Sequence, residues 1–309
     1  MDEFNNEFDE QKYESRKTKQ IKLRADEAPV TIDWAEVGAD INCPSILISA
    51  VRRSGKSFLT REMLYELAKI QKPDLVVLMG HTAFFNTDFE YVSSFYKYDS
   101  FREDVLKSMI EQQEKTMLQH KKKKEEQKNY NKEPPKLCFI FDDIVDDSSL
   151  FYNNTLAKLF ILGRHLNIMV VFLTQYLKCL PPRVRSNSDI LISFRQPDKF
   201  VKKYLMDAFM SLDQDSDSKV KRYFDSCFDE EYKAMIICVY KIQKAKKLNE
   251  YILTYKAPKE VRKFRLGQAE FWNKNMAYKD TGGKKNILVP EADLRKAIGT
   301  RNDSKSLFY

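Results

Sequence analysis

The stretch Ser45-Ile-Leu-Ile-Ser49, followed by Ala50-Val51-Arg52-Arg53-Ser54-Gly55-Lys56-Ser57, decides how the rest of the chain is read. Residues 45–49 have the length and near-continuous apolar texture of a strand buried on both faces. After the loop, residues 57–70 place Phe58, Leu59, Met63, Leu67 and Ile70 on one side at helical spacing. Strand, Gly-Lys-Ser loop and amphipathic helix form the context of a phosphate-binding loop. Backbone N–H groups from Arg52 and Arg53 through Ser54, Gly55, Lys56, Ser57 and Phe58 are expected to cradle nucleotide phosphate. The new helix aims its positive end at the same oxygens. Lys56 is expected to reach the β- and γ-phosphates of ATP, and the Ser57 hydroxyl to hold Mg²⁺. Gly55 lets the backbone approach without a side chain in the way. One position departs from the pattern G-x-x-x-x-G-K-[ST]: Ala50 stands where the first glycine is expected. If that position needs φ > 0, alanine is strained by about 1 kcal/mol.

Working outward, short apolar runs recur at 75–79, 137–141, 168–173, 190–194 and 234–240, with a further helical pattern at 156–162. Strands alternating with helices predict an α/β fold, a mainly parallel sheet with helices on both faces. The run Lys136-Leu-Cys-Phe-Ile-Phe141 ends in Asp142-Asp143. A carboxylate at the tip of an apolar strand is what the metal half of such a site needs. Asp142 is assigned to Mg²⁺ and Asp143 to the attacking water. Asp146 and Asp147 follow closely, so a buried strand finishing in an acidic turn is the plain alternative. The strand at 168–173 ends in Thr174-Gln175, a polar pair placed to sense the γ-phosphate and position water.

Composition bounds the remaining choices. Across 309 residues, 53 Lys and Arg against 45 Asp and Glu leave a formal charge of +8, with a pI near 9.0. That surplus points to an anionic partner without identifying it. Apolar residues make up 43%, enough for a sizeable core. The five cysteines are scattered and form no C-x-x-C pair, and only three histidines are present. This is the usage of a reducing compartment, neither a disulfide framework nor a zinc site. The longest apolar run, 168–173, is far short of the ~20 residues that cross a bilayer, and the acidic start gives no signal peptide. The expectation is a soluble, intracellular protein without membrane insertion.

Three regions are expected along the chain: a charged tail and lead-in at 1–40, a core at 41–255, and a C-terminal extension at 256–309. Within the core, about 103–135 reads as an insertion. It carries Leu106, Met109, Ile110, Gln113 and Met117 at helical spacing, then His120 and the lysines 121–124. We expect a protruding helix with a basic, mobile tip, either a solvated loop or a contact for the anionic partner.

The order lysine loop, acidic strand and Thr-Gln strand carries a specific resemblance. Leu162-Gly-Arg164-His165-Leu-Asn167, leading through 168–173 to Thr174-Gln175, resembles the corresponding stretch of the FtsK–HerA superfamily of DNA-pumping ATPases. With Val51-Arg-Arg-Ser-Gly-Lys-Ser57 and the double aspartate, the chain is most similar to the genome-packaging ATPases of large double-stranded DNA viruses, the poxvirus-type branch. Arg183-Val-Arg185-Ser-Asn187-Ser-Asp189, running through 190–193 to Phe194-Arg195, is similar to the next strand of that family. The likeness spans about 40–255. It implies a RecA-like (ASCE) P-loop fold and a homo-oligomeric ring of five or six subunits in the host cytoplasm. It also implies ATP hydrolysis with Mg²⁺ that drives double-stranded DNA into a capsid through its portal. Carried over, Lys56 and Ser57 bind phosphate and Mg²⁺, Asp142 is the metal acid, Asp143 the water-activating acid and Gln175 the sensor. The wider superfamily often has glutamate where Asp143 stands, and aspartate is one methylene shorter. A ring also needs an arginine from the neighbouring subunit, for which Arg164, Arg185 and Arg195 are the candidates. A helicase or DNA-segregation motor with the same core, or a non-hydrolysing nucleotide-dependent scaffold, remain the alternatives.

Overall fold

A computed structural model of the chain describes residues 28–84, 87–144, 150, 153–177, 180–210, 216–260 and 262–273. The charged tail before residue 28, the extension beyond 273, Asp146, Asp147 and Cys179 lie outside the described residues.

The six apolar runs become six strands: β1 Ser45–Ser49, β2 Leu75–Gly80, β4 Leu137–Asp142, β5 Ile168–Thr174, β6 Ile190–Ser193 and β7 Lys233–Cys238. Two more strands, β3 Lys97–Tyr98 and β8 Ile252–Lys256, complete an eight-stranded sheet in the order β3-β2-β4-β5-β1-β6-β7-β8. The strands from β3 to β6 pair in parallel, and β7 and β8 add antiparallel at one edge. All residues of β1, β2, β4, β5 and β6 are buried. Alternate side chains face opposite sides of a sheet, so both faces of this one are covered. Strand β5 is inserted between β1, which feeds the loop, and β4, which carries the aspartates. This is the RecA-like (ASCE) arrangement. It brings the C-terminal ends of β1, β4 and β5 side by side, the edge where open α/β sheets bind ligands.

The helices follow from the same patterning. Helix α2, Lys56–Gln71, buries Leu59, Met63, Leu64 and Leu67. Helix α1, Trp34–Asp40, packs beside it, and the buried Gln71 amide donates to the carbonyls of Gly38 (2.6 Å) and Ile41 (2.8 Å).

Helix α3, Glu103–Glu126, differs from the expected insertion. Its first half buries Val105, Leu106, Met109, Ile110 and Gln113, and it forms the crossover leading to β4. Gln113 Nε2 donates to the carbonyls of Pro135 and Leu166, each at 2.8 Å. Only the second half stands out into solvent, where lysines 121–124 are exposed. The His120 ring contacts the Lys132 carbonyl and meets Tyr130 edge-on, so the chain after the helix folds back along its end.

Packed structure also continues on both sides of the expected 41–255 core. Thr31 bridges Thr254, and Trp34 is buried edge-on to Tyr255. Beyond β8, Phe264, Leu266 and Phe271 are buried, with Phe264 stacked on Tyr91 at 4.9 Å. Asp74 ties this segment down: its Oδ1 accepts from Gln268 Nε2 at 2.9 Å and its Oδ2 from the Lys136 amide at 2.8 Å.

Candidate functional site

The loop leaves β1 without distortion at Ala50. This residue is fully buried, its N–H donates to the Thr174 carbonyl at 3.0 Å, and its φ is not positive. The strain anticipated for alanine therefore does not arise. The turn is made further on, by Arg53 (φ 61°) and Gly55 (φ 91°). Gly55 is the N-cap of α2 and no side chain caps the helix. Its first N–H groups and the positive end of its dipole are left facing the cleft.

Lys56, the first residue of α2, points across this turn to the end of β4. Its Nζ lies 2.7 Å from Asp143 Oδ2 and 3.6 Å from Asp142 Oδ1. Asp142 is the last residue of β4 and its side chain is 5% exposed, whereas that of Asp143 is 31% exposed. Burial pushes the Asp142 carboxyl above its usual pKa, against the pull of the Lys56 ammonium and of a hydrogen bond from Thr82. Thr82 Oγ1 donates to Asp142 Oδ2 at 2.8 Å, while Asp142 Oδ1 is buried without a hydrogen-bond partner. Asp143 turns out of the strand with φ 47°, its N–H bonded to the Leu173 carbonyl. Gln175 Nε2 donates to Asp143 Oδ2 at 3.0 Å, so the polar tip of β5 grips the second aspartate. The neighbouring Thr174 is fully buried and its hydroxyl accepts from the Tyr176 N–H, a structural use.

These groups line one cleft of about 430 Å³, together with Val51, Arg52, Arg53, Gly55, Ser57 and Phe58. Ser54 sits in the turn with its hydroxyl buried and unpaired. Among the described residues no group of three or more His, Cys, Asp or Glu side chains is arranged to hold a metal by itself. A Mg²⁺ ion takes one or two protein ligands and completes its shell with phosphate and water. Asp142 Oδ1, which has no hydrogen-bond partner, and Ser57, which lines the same cleft, suit that demand.

The three arginines are not brought to this cleft. Arg195 follows β6 at the same edge, but its guanidinium donates to the Phe228 carbonyl at 2.6 Å. Arg185 lies over the Tyr204 ring at 4.9 Å. Arg164 is exposed in the turn Gly163–Leu166 that enters β5, at the opposite edge of the sheet. It lines a separate cleft of about 390 Å³ there.

Three site neighbours were not read from the sequence. Thr82 and Asp88 come from the loop after β2, and Tyr232 precedes β7. For Thr82 a signal existed: β2 is an apolar run, and polar residues at its tip must lie beside the tip of its partner. Gly80 is paired with Asp142, and a Cβ there would stand 2.5 Å from the Asp142 carbonyl oxygen.

The profile of the family described as Poxvirus A32 protein matches residues 54–252, from the loop to the start of β8. Uncharacterized protein 088R of Invertebrate iridescent virus 3 is 26% identical over 235 residues, 73% of this chain and 81% of that protein. Uncharacterized protein 015R of Frog virus 3 (isolate Goorha) is 26% identical over 168 residues, covering 52% of this chain and 46% of that protein. Among solved structures, the genome packaging NTPase B204 from Sulfolobus turreted icosahedral virus 2 in complex with AMPPCP aligns with a TM-score of 0.43. It is 16% identical and covers 70% of this chain and 98% of that one. The pCW3 conjugation coupling protein TcpA with ATPγS aligns with a TM-score of 0.48 at 14% identity, covering 85% of this chain and 73% of that one. Since the family profile spans well over half of the 309 residues, the chain belongs to the Poxvirus A32 protein family.

Proposed function

We propose that the protein is an ATPase that drives double-stranded DNA into a viral capsid. One observation carries the reading: Lys56, Asp142, Asp143 and Gln175, from three separate stretches of sequence, meet in a single cleft at the C-terminal edge of the parallel strands. Membership of the Poxvirus A32 family and the resemblance to DNA-pumping ATPases support the coupling to DNA.

The chemistry follows from the groups present. Backbone N–H groups of residues 53–57 and the Lys56 ammonium bind the β- and γ-phosphates of ATP. As phosphate arrives, Lys56 exchanges its carboxylate partners for phosphate oxygens, which frees Asp143 to accept a hydrogen bond from water. Asp143 then takes a proton from that water as it attacks the γ-phosphorus in line, and ADP leaves. Gln175 holds Asp143 through the 3.0 Å hydrogen bond, which makes it a positioning residue. Ser57 and Asp142 would hold Mg²⁺, which supplies charge neutralisation at the β- and γ-oxygens when bound. Thr82 fixes the orientation of Asp142.

Arg164 is assigned as the arginine that acts on a neighbouring subunit in a ring. Its guanidinium makes no hydrogen bond or ion pair among the described residues, unlike Arg195. It is separated from its own cleft by the length of β5, roughly 23 Å for seven residues. At that distance it does not serve its own cleft, which leaves a neighbouring subunit's site as its proposed target.

The test is ATP hydrolysis by the full chain with and without double-stranded DNA. Turnover rises with DNA and is lost in Lys56→Ala. Equal turnover with and without DNA, in assembled protein, would remove the motor reading, and no turnover in either condition would favour the non-hydrolysing scaffold.

A further inference from the structure

We propose that Tyr232 is the platform on which the base of a bound purine nucleoside triphosphate stacks. The inference rests on the ATPase reading and adds the base to it.

The order of strands fixes the direction of the nucleotide. Along the C-terminal edge the elements run β4, β5, β1, β6, β7. Asp142, Asp143 and Gln175, at the tips of β4 and β5, lie on one side of the loop that follows β1. The reacting phosphate must face these groups, so ribose and base extend to the other side, over β6 and β7. Strand β7 runs antiparallel to β6, with Met235 opposite Ser193, so its first residue lies at this same edge. Tyr232 immediately precedes that residue and lines the cleft. Its ring flanks the loop: a Cβ on Gly55 would stand 3.4 Å from Tyr232 Cδ1.

Two further features mark this residue. Tyr232 is 61% exposed, although an aromatic ring gains by burial. It is also held at φ 60°, a left-handed conformation that a bulky side chain rarely adopts. Such strain concentrates at ligand sites. Six non-glycine residues have positive φ among those described, and three of them, Arg53, Asp143 and Tyr232, line this one cleft. Of the others, Lys72 and Asn167 close helical segments. The exposed Tyr176 follows Gln175 on the β5 side and does not line the cleft. Stacking uses the π-face that every base presents, and the larger purines gain more from it. The ring therefore favours ATP and GTP over CTP and UTP without separating the first two.

The experiment is calorimetric titration of the full chain, with Mg²⁺, using AMPPNP and inorganic tripolyphosphate as probes. Tyr232→Gly removes the ring and suits the left-handed backbone, so the fold is retained. It weakens AMPPNP on the order of tenfold and leaves tripolyphosphate unchanged. Tyr232→Phe keeps the wild-type affinity for AMPPNP. Unchanged AMPPNP binding in Tyr232→Gly, or equal weakening of both probes, overturns the proposal. Lys56→Ala separates the two levels. If it weakens both probes while Tyr232→Gly weakens neither, only the stacking falls. If Lys56→Ala binds both as tightly as wild type, the phosphates are not on this loop and the ATPase reading falls with it.

Discussion

Replacing Gly80 by alanine adds one methyl group at a residue with no side chain, no charge and no place in the cleft lining. A Cβ at this position would stand 2.5 Å from the Asp142 carbonyl oxygen and 3.0 Å from Asp142 Cβ, against 3.4 Å for ordinary contact. One backbone must therefore yield by roughly 0.9 Å, the difference between 3.4 and 2.5 Å. A carbonyl oxygen has no rotamer by which to escape, and Gly80 and Asp142 are in register as the last pair of β2 and β4. The strands must part at the point where Asp142 faces Lys56 and Thr82. Overpacking of this kind costs about 1–3 kcal/mol, and a domain of this size loses about 2–4 °C in Tm per kcal/mol. The catalytic cost is larger, because a displacement near 1 Å in a catalytic group lowers turnover on the order of 10²-fold. The assay is steady-state ATP hydrolysis beside a thermal melt. Gly80→Ala should lower kcat about 10²-fold with KM little changed, at a temperature where the variant remains folded. Gly38→Ala is the control. The nearest atom to its Cβ would be Ile70 Cβ, at 3.0 Å, so the two helices must give by a few tenths of an ångström at a place outside the cleft lining. It should lower Tm and leave kcat unchanged. A folded Gly80→Ala with wild-type kcat would refute the claim that the Asp142 backbone position matters to turnover.

Other perturbations have equally definite outcomes. Asp143→Asn should retain ATP binding by calorimetry while losing turnover by about 10²–10⁴-fold, the share a positioned base contributes. Glu62 is 1% exposed on α2, and burial raises its carboxyl pKa despite the nearby Arg262. A raised carboxyl favours the fold fully below the unfolded value of 4.5, and that benefit is lost as pH rises through the folded value. Glu62→Gln should therefore gain stability over wild type as pH rises to 7, and chemical denaturation at pH 4 and 7 will show whether the gap grows. Cys43, Cys138, Cys227 and Cys238 are free and buried, and burial pushes Cys43, Cys227 and Cys238 up to about 12. At pH 8 the thiolate fraction of those three is roughly one in ten thousand. In a Cys179→Ser background a thiol reagent should label none of the four until denaturant is added.

Much of the architecture was legible because buried parallel strands are near-continuous apolar runs, and six of these were visible within a residue or two of their limits. Strand β8 escaped because its side chains alternate between buried and half-exposed, and β3 because it has only two residues. Helix α3 read as an insertion because the lysine run at 121–124 marks its end as a solvated tip. The buried stripe from Val105 to Gln113 was seen, but its packing against the chain at Pro135 and Leu166 is a tertiary fact. The site divides in the same way. Lys56, Asp142 and Gln175 carry motif spacing and could be placed in order, the first at a helix start and the other two at strand tips. Thr82, Gly80 and Tyr232 carry none, because their importance lies in what stands opposite them across the sheet edge. The reading of Gln175 as a phosphate sensor also sharpens into a contact that no spacing reveals, since its amide grips Asp143. Packing of Trp34 and Phe264, on either side of 41–255, was hidden by the charged residues around them.

Hydrolysis in this cleft is proposed to move double-stranded DNA, and displacement of a triplex-forming strand from a duplex tests that coupling most directly. With ATP and Mg²⁺, wild-type protein should release the third strand, while Lys56→Ala and Asp143→Asn should leave it bound. Vigorous ATP hydrolysis by wild type with the third strand still in place would contradict translocation.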